Sequence, residues 1–244
     1  MNLTGITALV TGANRGLGHA FVTELLAHGA GKIYAAVRRP ETLAAAFPGE
    51  PRVVSLRLDA DDLGSITAAA AFATDVGLLV NNAATLEGGD LLAADGLDVL
   101  DRAWRTNVRG TLAVTRAFVP ALLRQLPRAA LVHVNSIAAL CPFADVPAYA
   151  ATKAAALSLT QALRRELASQ GLPVFSVLPG ALQTDMAAWL DCAKADPRAV
   201  ARAVLGAVLR GESGEIFPDE GARAFWSGLT ADPASTLFVS PQKK

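Results

Sequence analysis

The chain has 244 residues, 52% of them apolar, and its 22 basic side chains balance 22 acidic ones; this allows an ample core and, with no clustered basic stripe, argues against nucleic acid as a partner. No segment approaches the uninterrupted apolar run of a membrane span, and the N-terminus carries neither the basic lead nor the apolar core of a signal peptide, so a cytoplasmic protein is expected. Cys141 and Cys192 show no metal-type spacing and no framework of pairs, which suits a reducing compartment, and the scattered His19, His28 and His133 complete no metal set.

The first predicted strand, Ile6 to Val10, runs straight into Thr11-Gly12-Ala13-Asn14-Arg15-Gly16-Leu17-Gly18. A helix follows, with Leu17, Phe21, Leu25 and Leu26 at three-to-four spacing and a stop at Gly29. Such a glycine turn lets the backbone approach a pyrophosphate, whose charge the helix's free N–H groups and dipole favour. The spacing is Gly-x-x-x-Gly-x-Gly rather than the fingerprint Gly-x-Gly-x-x-Gly, with the same mechanical logic. A second strand, Lys32 to Val37, ends at Arg38-Arg39, where an NAD-binding chain of this design places an acidic residue for the ribose 2′-hydroxyl. Arg38 offers instead a permanently charged fork suited to a 2′-phosphate, and Arg15 can approach it from the glycine turn. The third strand, Val53 to Leu58, is closed by Asp59, which as a bare aspartate could equally cap a helix starting near Asp61. The alanine-rich stretch Thr67 to Ala73 reads as helix.

A fourth strand, Gly77 to Val80, leads into Asn81-Asn82-Ala83-Ala84, and Asn107 precedes a helix over Val108 to Leu126. The fifth, Ala130 to Asn135, ends at Ser136. Tyr149-Ala150-Ala151-Thr152-Lys153 then opens a helix to Ser169, placing phenol and ammonium on one face, a turn apart. An ammonium beside a phenol stabilises the phenolate, so the Tyr149 pKa is expected to fall towards neutrality and the residue to give or take a proton. The Ser136 hydroxyl completes a trio that one carbonyl group could meet. The sequence argues against acyl transfer by Ser136, because Asn135-Ser136-Ile137 lacks nucleophile-elbow glycines and no histidine is placed to serve it. A sixth strand, Pro173 to Leu178, is followed by Pro179-Gly180 and Thr184, and a seventh covers Glu215 to Phe217. Continuous apolar strands alternating with helices predict an α/β fold: a doubly wound parallel sheet of about seven strands with helices on both faces. Residues 1–244 then form a single dinucleotide-binding and catalytic domain, with a substrate-loop region over 181–210 and a tail over 221–244. Every motif falls at the carboxyl end of a strand or the start of the next helix, where ligands sit in such a sheet.

Taken in order, Gly12, Gly16, Gly18, Asn81-Asn82-Ala83, Asn107, Ser136, Tyr149, Lys153 and Pro179-Gly180 resemble the short-chain dehydrogenase/reductase family in its compact, single-domain, Rossmann-type branch. The match runs from Thr4 to Asp185. Ala84 departs from it, since the family commonly has glycine there. The resemblance implies four catalytic residues. Ser136 steadies the developing oxyanion and Tyr149 supplies the proton. Lys153 depresses the Tyr149 pKa and bonds the nicotinamide ribose, and Asn107 holds a water of a proton relay. It implies a cofactor site of Gly12, Asn14, Arg15, Gly16, Leu17, Gly18, Arg38, Asp59, Asn81, Ala83, Tyr149, Lys153, Pro179, Gly180 and Thr184. In that site Asp59 meets the adenine amine, while Pro179-Gly180 and Thr184 meet the nicotinamide carboxamide. Basic residues at 15 and 38 imply NADP(H) rather than NAD(H).

The implied reaction is hydride transfer between nicotinamide and a small, apolar ketone or aldehyde, or the matching alcohol. Leu140, Phe143, Val146, Met186, Trp189 and Leu190 are the expected pocket walls, and Lys194 is the one cation among them. Two alternatives are a redox-neutral epimerase or dehydratase, which usually carries a longer substrate domain, and a non-catalytic nucleotide-sensing protein, which would be expected to have lost a member of the tetrad. A homodimer or homotetramer is implied through two helices. One carries Val108, Leu112, Thr115 and Val119, and the other Ala151, Ala155, Ser158 and Ala162. In the tail, Phe225, Trp226 and Phe238 could cover a pocket or a neighbouring subunit.

Overall fold

The computed structural model describes residues 1–43 and 45–233. Seven strands, β1 (Thr7–Thr11), β2 (Lys32–Val37), β3 (Val53–Arg57), β4 (Leu78–Asn81), β5 (Ala130–Val134), β6 (Val174–Val177) and β7 (Gly214–Ile216), form one sheet in the order β3-β2-β1-β4-β5-β6-β7. Every neighbouring pair is parallel, and each strand lies within one residue of its predicted bounds. Seven α-helices surround the sheet among the described residues: α1 (Gly16–Ala27), α2 (Leu63–Phe72), α3 (Gly96–Trp104), α4 (Thr111–Arg124), α5 (Pro147–Ala168), α6 (Pro197–Arg210) and α7 (Glu220–Ala231). None is long and apolar enough to cross a membrane.

Alternation along the strands divides the core into two layers. Ala8 and Val10 of β1 pack with Phe21 and Leu25 of α1 and Val204 and Leu205 of α6. Leu9 points the other way, towards Phe118 and Leu122 of α4 and Leu167 of α5. Phe21, Phe118 and Phe175 are among the largest side chains wholly removed from solvent, each contributing about 1.5–3 kcal/mol. Strand order reverses between β1 and β4, which opens a crevice at the carboxyl ends of the strands.

Two local details differ from expectation. The helix expected from Val108 begins as a π turn, Arg105–Gly110, before α4, an irregularity that side-chain periodicity does not announce. The cap of α2 is Asp62, whose carboxylate accepts the N–H groups of Gly64 and Ser65, whereas the Asp59 carboxylate accepts the N–H of Asp61, outside the helix, at 3.1 Å. The capping reading of Asp59 is therefore wrong: the residue lies just past the carboxyl end of β3, ahead of α2's cap.

Candidate active site

The first wall of the crevice is main chain. Gly12 (φ 67°) and Gly16 (φ 53°) are left-handed, and a Cβ on Gly18 would collide with the carbonyl oxygen of Gly12 and the Asn82 amide. Thr11 holds the opposite bank: its hydroxyl accepts the N–H groups of Asn82 and Ala83, both at 2.9 Å, while Asn82 Nδ2 returns a 2.9 Å bond to the Thr11 carbonyl. Arg15 sits at the N-cap of α1 without a side-chain cap, and no acidic residue occupies the first turn. The helix's first N–H groups are thus left for an anion, and the cradle fits the pyrophosphate of a dinucleotide. Leu17 is buried beneath the turn and Asn14 half-buried within it, while Arg15 and Arg38 are exposed. Arg15 meets Asp185 at 3.7 Å, a solvent-facing pair of little energetic weight. Thr184 lies on the far side, its methyl group 3.1 Å from where a Gly16 Cβ would stand. Ala84 does not have a positive φ, so its methyl group brings no backbone strain.

The second wall is a set of buried side chains. Tyr149 is 9% exposed and Lys153 4%, both on the first two turns of α5, with the ammonium 5.5 Å from the centre of the phenol ring. Lys153 Nζ donates to the Val134 carbonyl at 2.9 Å. Ser136, just past β5, shares a hydrogen bond with the Tyr149 hydroxyl and accepts the Ala138 N–H at 3.1 Å. The expected fall in the Tyr149 pKa is not what the site gives. Burial pushes the phenol up to about 12, with the Ser136 bond only partly opposing it, and burial also brings Lys153 down to about 8. In so dry a site desolvation outweighs the hydrogen bond that favours the phenolate.

Asn107 lies in the π turn, 1% exposed. Its Nδ2 donates to the Thr85 carbonyl (2.9 Å) and Thr152 Oγ1 (3.0 Å), and its Oδ1 accepts the Thr85 N–H (2.9 Å). Both amide hydrogens are spent, so this side chain braces the start of α5. Asn81 is similarly committed: it is buried at the end of β4, and its amide donates at 2.9 Å to Thr115 Oγ1 inside the protein.

Behind both runs a buried chain of polar groups. His133 of β5 stands between Thr115 of α4 and Thr160 of α5, with Nε2 and Nδ1 each 2.9 Å from a hydroxyl. Burial lowers the His133 pKa to about 3, so the ring is neutral and has one N–H. Yet Thr115 also reaches the Thr111 carbonyl (2.8 Å) and Thr160 the Ala156 carbonyl (2.7 Å). One threonine must therefore turn its hydrogen to the bare ring nitrogen and release its helix carbonyl. Asn135 extends the chain to Ser176 of β6 at 2.8 Å. Sequence reasoning missed Thr11, Thr85, Thr152, Thr160 and Ser176 as supports of the site, and put Thr115 on the stripe of an assembly helix instead. The available signal was the set of polar residues inside otherwise apolar strands, His133, Asn135 and Ser176 among them.

Pro179 is buried and Gly180 half-buried after β6. Of the expected pocket walls, Val146 packs with Tyr149, Ala138 and Ala150, joined by Phe143 and by Leu86. Leu140, Met186 and Leu190 are half-buried. Trp189 lies over Gly88, where a Cβ would come within 3.3 Å of the indole. Lys194 bonds the Leu190 carbonyl at 2.6 Å and that of Ala188 at 3.4 Å, closing its own loop. Phe225 of α7 approaches Phe143 with ring centres 5.9 Å apart, and Trp226 stacks on Phe217; Phe238 lies outside the described residues. Val108 of the π turn and Thr115 of α4 are buried, leaving half-buried Leu112 and Val119 on α4 and, on α5, Ala151, Ala155, Ser158 and Ala162 at or near the surface. Among the described residues no group of three or more His, Cys, Asp or Glu side chains is placed to hold a metal ion.

Residues 6–194 match the sequence model of the short chain dehydrogenases. The chain is 34% identical over 202 residues to the short chain dehydrogenase pigC of Monascus ruber, covering 76% of this chain and 65%, just under two thirds, of that protein. It is 31% identical over 217 residues to a sorbitol dehydrogenase of Cereibacter sphaeroides, covering 86% of this chain and 84% of that one. A solved structure of a short chain dehydrogenase from Burkholderia cenocepacia J2315 in complex with NADP has a TM-score of 0.90 and 36% identity, with 96% of this chain and 97% of that one covered.

Proposed function

The chain belongs to the short-chain dehydrogenase/reductase family, and from that premise we propose that it is an NADP(H)-dependent oxidoreductase of small, apolar ketones or aldehydes and the matching alcohols, with 1–244 acting as one unit. The observation that carries this reading is the trio of half-buried Ser136 with buried Tyr149 and Lys153 at the strand ends beside the glycine turn. Gly12, Asn14, Arg15, Gly16, Leu17 and Gly18 would hold the pyrophosphate side of the cofactor. Asp59 and the main chain at Asn81 and Ala83 would hold the adenosine, and Tyr149, Lys153, Pro179, Gly180 and Thr184 the nicotinamide side. The cofactor, when bound, supplies or accepts the hydride.

The protein's own part is proton handling and exclusion of water. In reduction, the hydroxyls of Ser136 and Tyr149 bond the substrate oxygen, and Tyr149 gives up its proton as negative charge develops there. An alkoxide is a stronger base than a phenolate, so the transfer runs downhill even from a phenol raised by burial. Once the phenolate forms, Lys153 on the same helix face stabilises it. Asn107 acts by holding Thr152 and the segment at Thr85, so a relay water would have to be met by main chain or by Lys153.

NADP preference is supported by Arg38 and Arg15 and by the absence of an acidic residue at the end of β2; the 36% identical Burkholderia protein carries NADP. An apolar substrate is supported by Leu86, Phe143, Val146 and Trp189, and by the engagement of Lys194 within its loop. The open small-residue face of α4 and α5 supports a homodimer or homotetramer, and the scarcity of cysteine a cytoplasmic setting. Fluorescence titration with NADPH and NADH, followed by turnover of a ketone and aldehyde panel at 340 nm, tests the reading. Tight NADPH binding, weaker NADH binding and turnover of apolar carbonyls are expected; binding of neither nucleotide would overturn it.

A further inference from the structure

We propose that Asp219 is a positioning residue: its carboxylate ties helix α7 to the turn Pro179-Gly180 and so fixes the platform against which the nicotinamide end of the cofactor is held. This rests on the dinucleotide reading above. Asp219 is 8% exposed. Its Oδ1 accepts the Ala222 N–H at 2.8 Å, closing the N-terminus of α7, and its Oδ2 accepts the Gly180 N–H at 3.0 Å. Helix capping needs only the first bond. The second reaches back across the fold, 39 residues along the chain, to the turn after β6, and a carboxylate with so little exposure is tolerable because both oxygens are served.

The turn is shaped around that carboxylate. Gly180 does not have a positive φ, but a Cβ there would approach Asp219 Oδ1 to 3.0 Å, so a larger residue would press on the carboxylate and make it give by a few tenths of an ångström, while the backbone itself asks for no glycine. On its other side the Pro179 carbonyl accepts the Ile137 N–H at 3.1 Å, one residue from Ser136. The helix itself returns to the pocket through Phe225, 5.9 Å from Phe143, whose cluster includes Tyr149. Helix α7 with its cap thus meets the turn through Asp219 and the substrate wall through Phe225, the latter within the stretch that reads as a tail in the sequence.

Asp219→Ser separates the two bonds, because serine still caps a helix but is too short to reach Gly180. The expected result is a kcat lower by at least about tenfold and weaker NADPH binding, with 2′,5′-ADP, which lacks the nicotinamide half, bound within about twofold of the parent. Gly180→Ala should lower the melting temperature of the parent and cost little further in the Asp219→Ser chain, where the obstructing oxygen is gone. Should Asp219→Ser not fold, Asp219→Asn, which keeps a capping oxygen but can leave the Gly180 N–H without an acceptor, carries the kcat and nucleotide-binding comparison, and Asp219→Ala, which removes the obstructing oxygen, carries the Gly180→Ala one. Equal weakening of NADPH and 2′,5′-ADP, an unchanged kcat, or Gly180→Ala costing the same in both backgrounds would overturn the proposal. Failure of the parent to bind either nucleotide would instead refute the dinucleotide reading, and the Gly180→Ala melting comparison would still decide whether Asp219 shapes the turn.

Discussion

At the glycine turn between β1 and α1 the crevice is lined by main chain, kept open by missing Cβ atoms and held by Thr11 and Asn82. At the ends of β4 and β5 it is lined by buried side chains, Asn107, Tyr149 and Lys153, supported by Thr115, His133 and Thr160. The first wall works by steric clearance, so its failures are collisions. The second works by a closed count of donors and acceptors in a dry interior, so its failures are unpaired groups and misplaced protons.

That contrast can be broken most sharply at Gly18. Gly18→Ala drives a methyl group into the Gly12 carbonyl and the Asn82 amide, and is expected to weaken NADPH binding by more than about a hundredfold in a fluorescence titration. The other wall answers to pH. Burial holds His133 at about 3, below its ordinary value, so between that pH and about 6.5 the unfolded chain binds a proton that the folded chain refuses. Stability therefore rises with pH across this window and is lost on acidification, by at most about 1.4 kcal/mol per pH unit from this residue. Urea midpoints between pH 4 and 7 should show a shallower slope for His133→Asn than for the parent. The smallest effect belongs to exposed Arg38: Arg38→Ala should cost NADPH about tenfold in affinity and leave NADH unchanged, as expected for one charge-assisted contact.

The two walls were unequally legible in the sequence. Gly12, Gly16 and Gly18 are close in the chain and follow a strand, and Tyr149 and Lys153 share a helix face by spacing alone, so local rules find both. The partners of His133 and Asn107 lie 18 to 45 residues away on other elements, and no local pattern pairs them. The Tyr149 pKa was misjudged for a related reason: spacing reveals a neighbouring ammonium but not the depth at which both groups are buried. Lys194 and Asp219 make the same point. Their chemistry is visible in the sequence, but whether they face a ligand or hold the fold together depends on carbonyl and N–H groups that only the folded chain brings near.

The central claim is that Tyr149 delivers the proton in carbonyl reduction while the rest of the site holds cofactor and substrate. It is tested most directly by a single-turnover measurement on Tyr149→Phe loaded with NADPH, using the best ketone found for the parent. The account predicts NADPH affinity within about twofold of the parent and hydride transfer slower by at least about a hundredfold; transfer at the parental rate would contradict it.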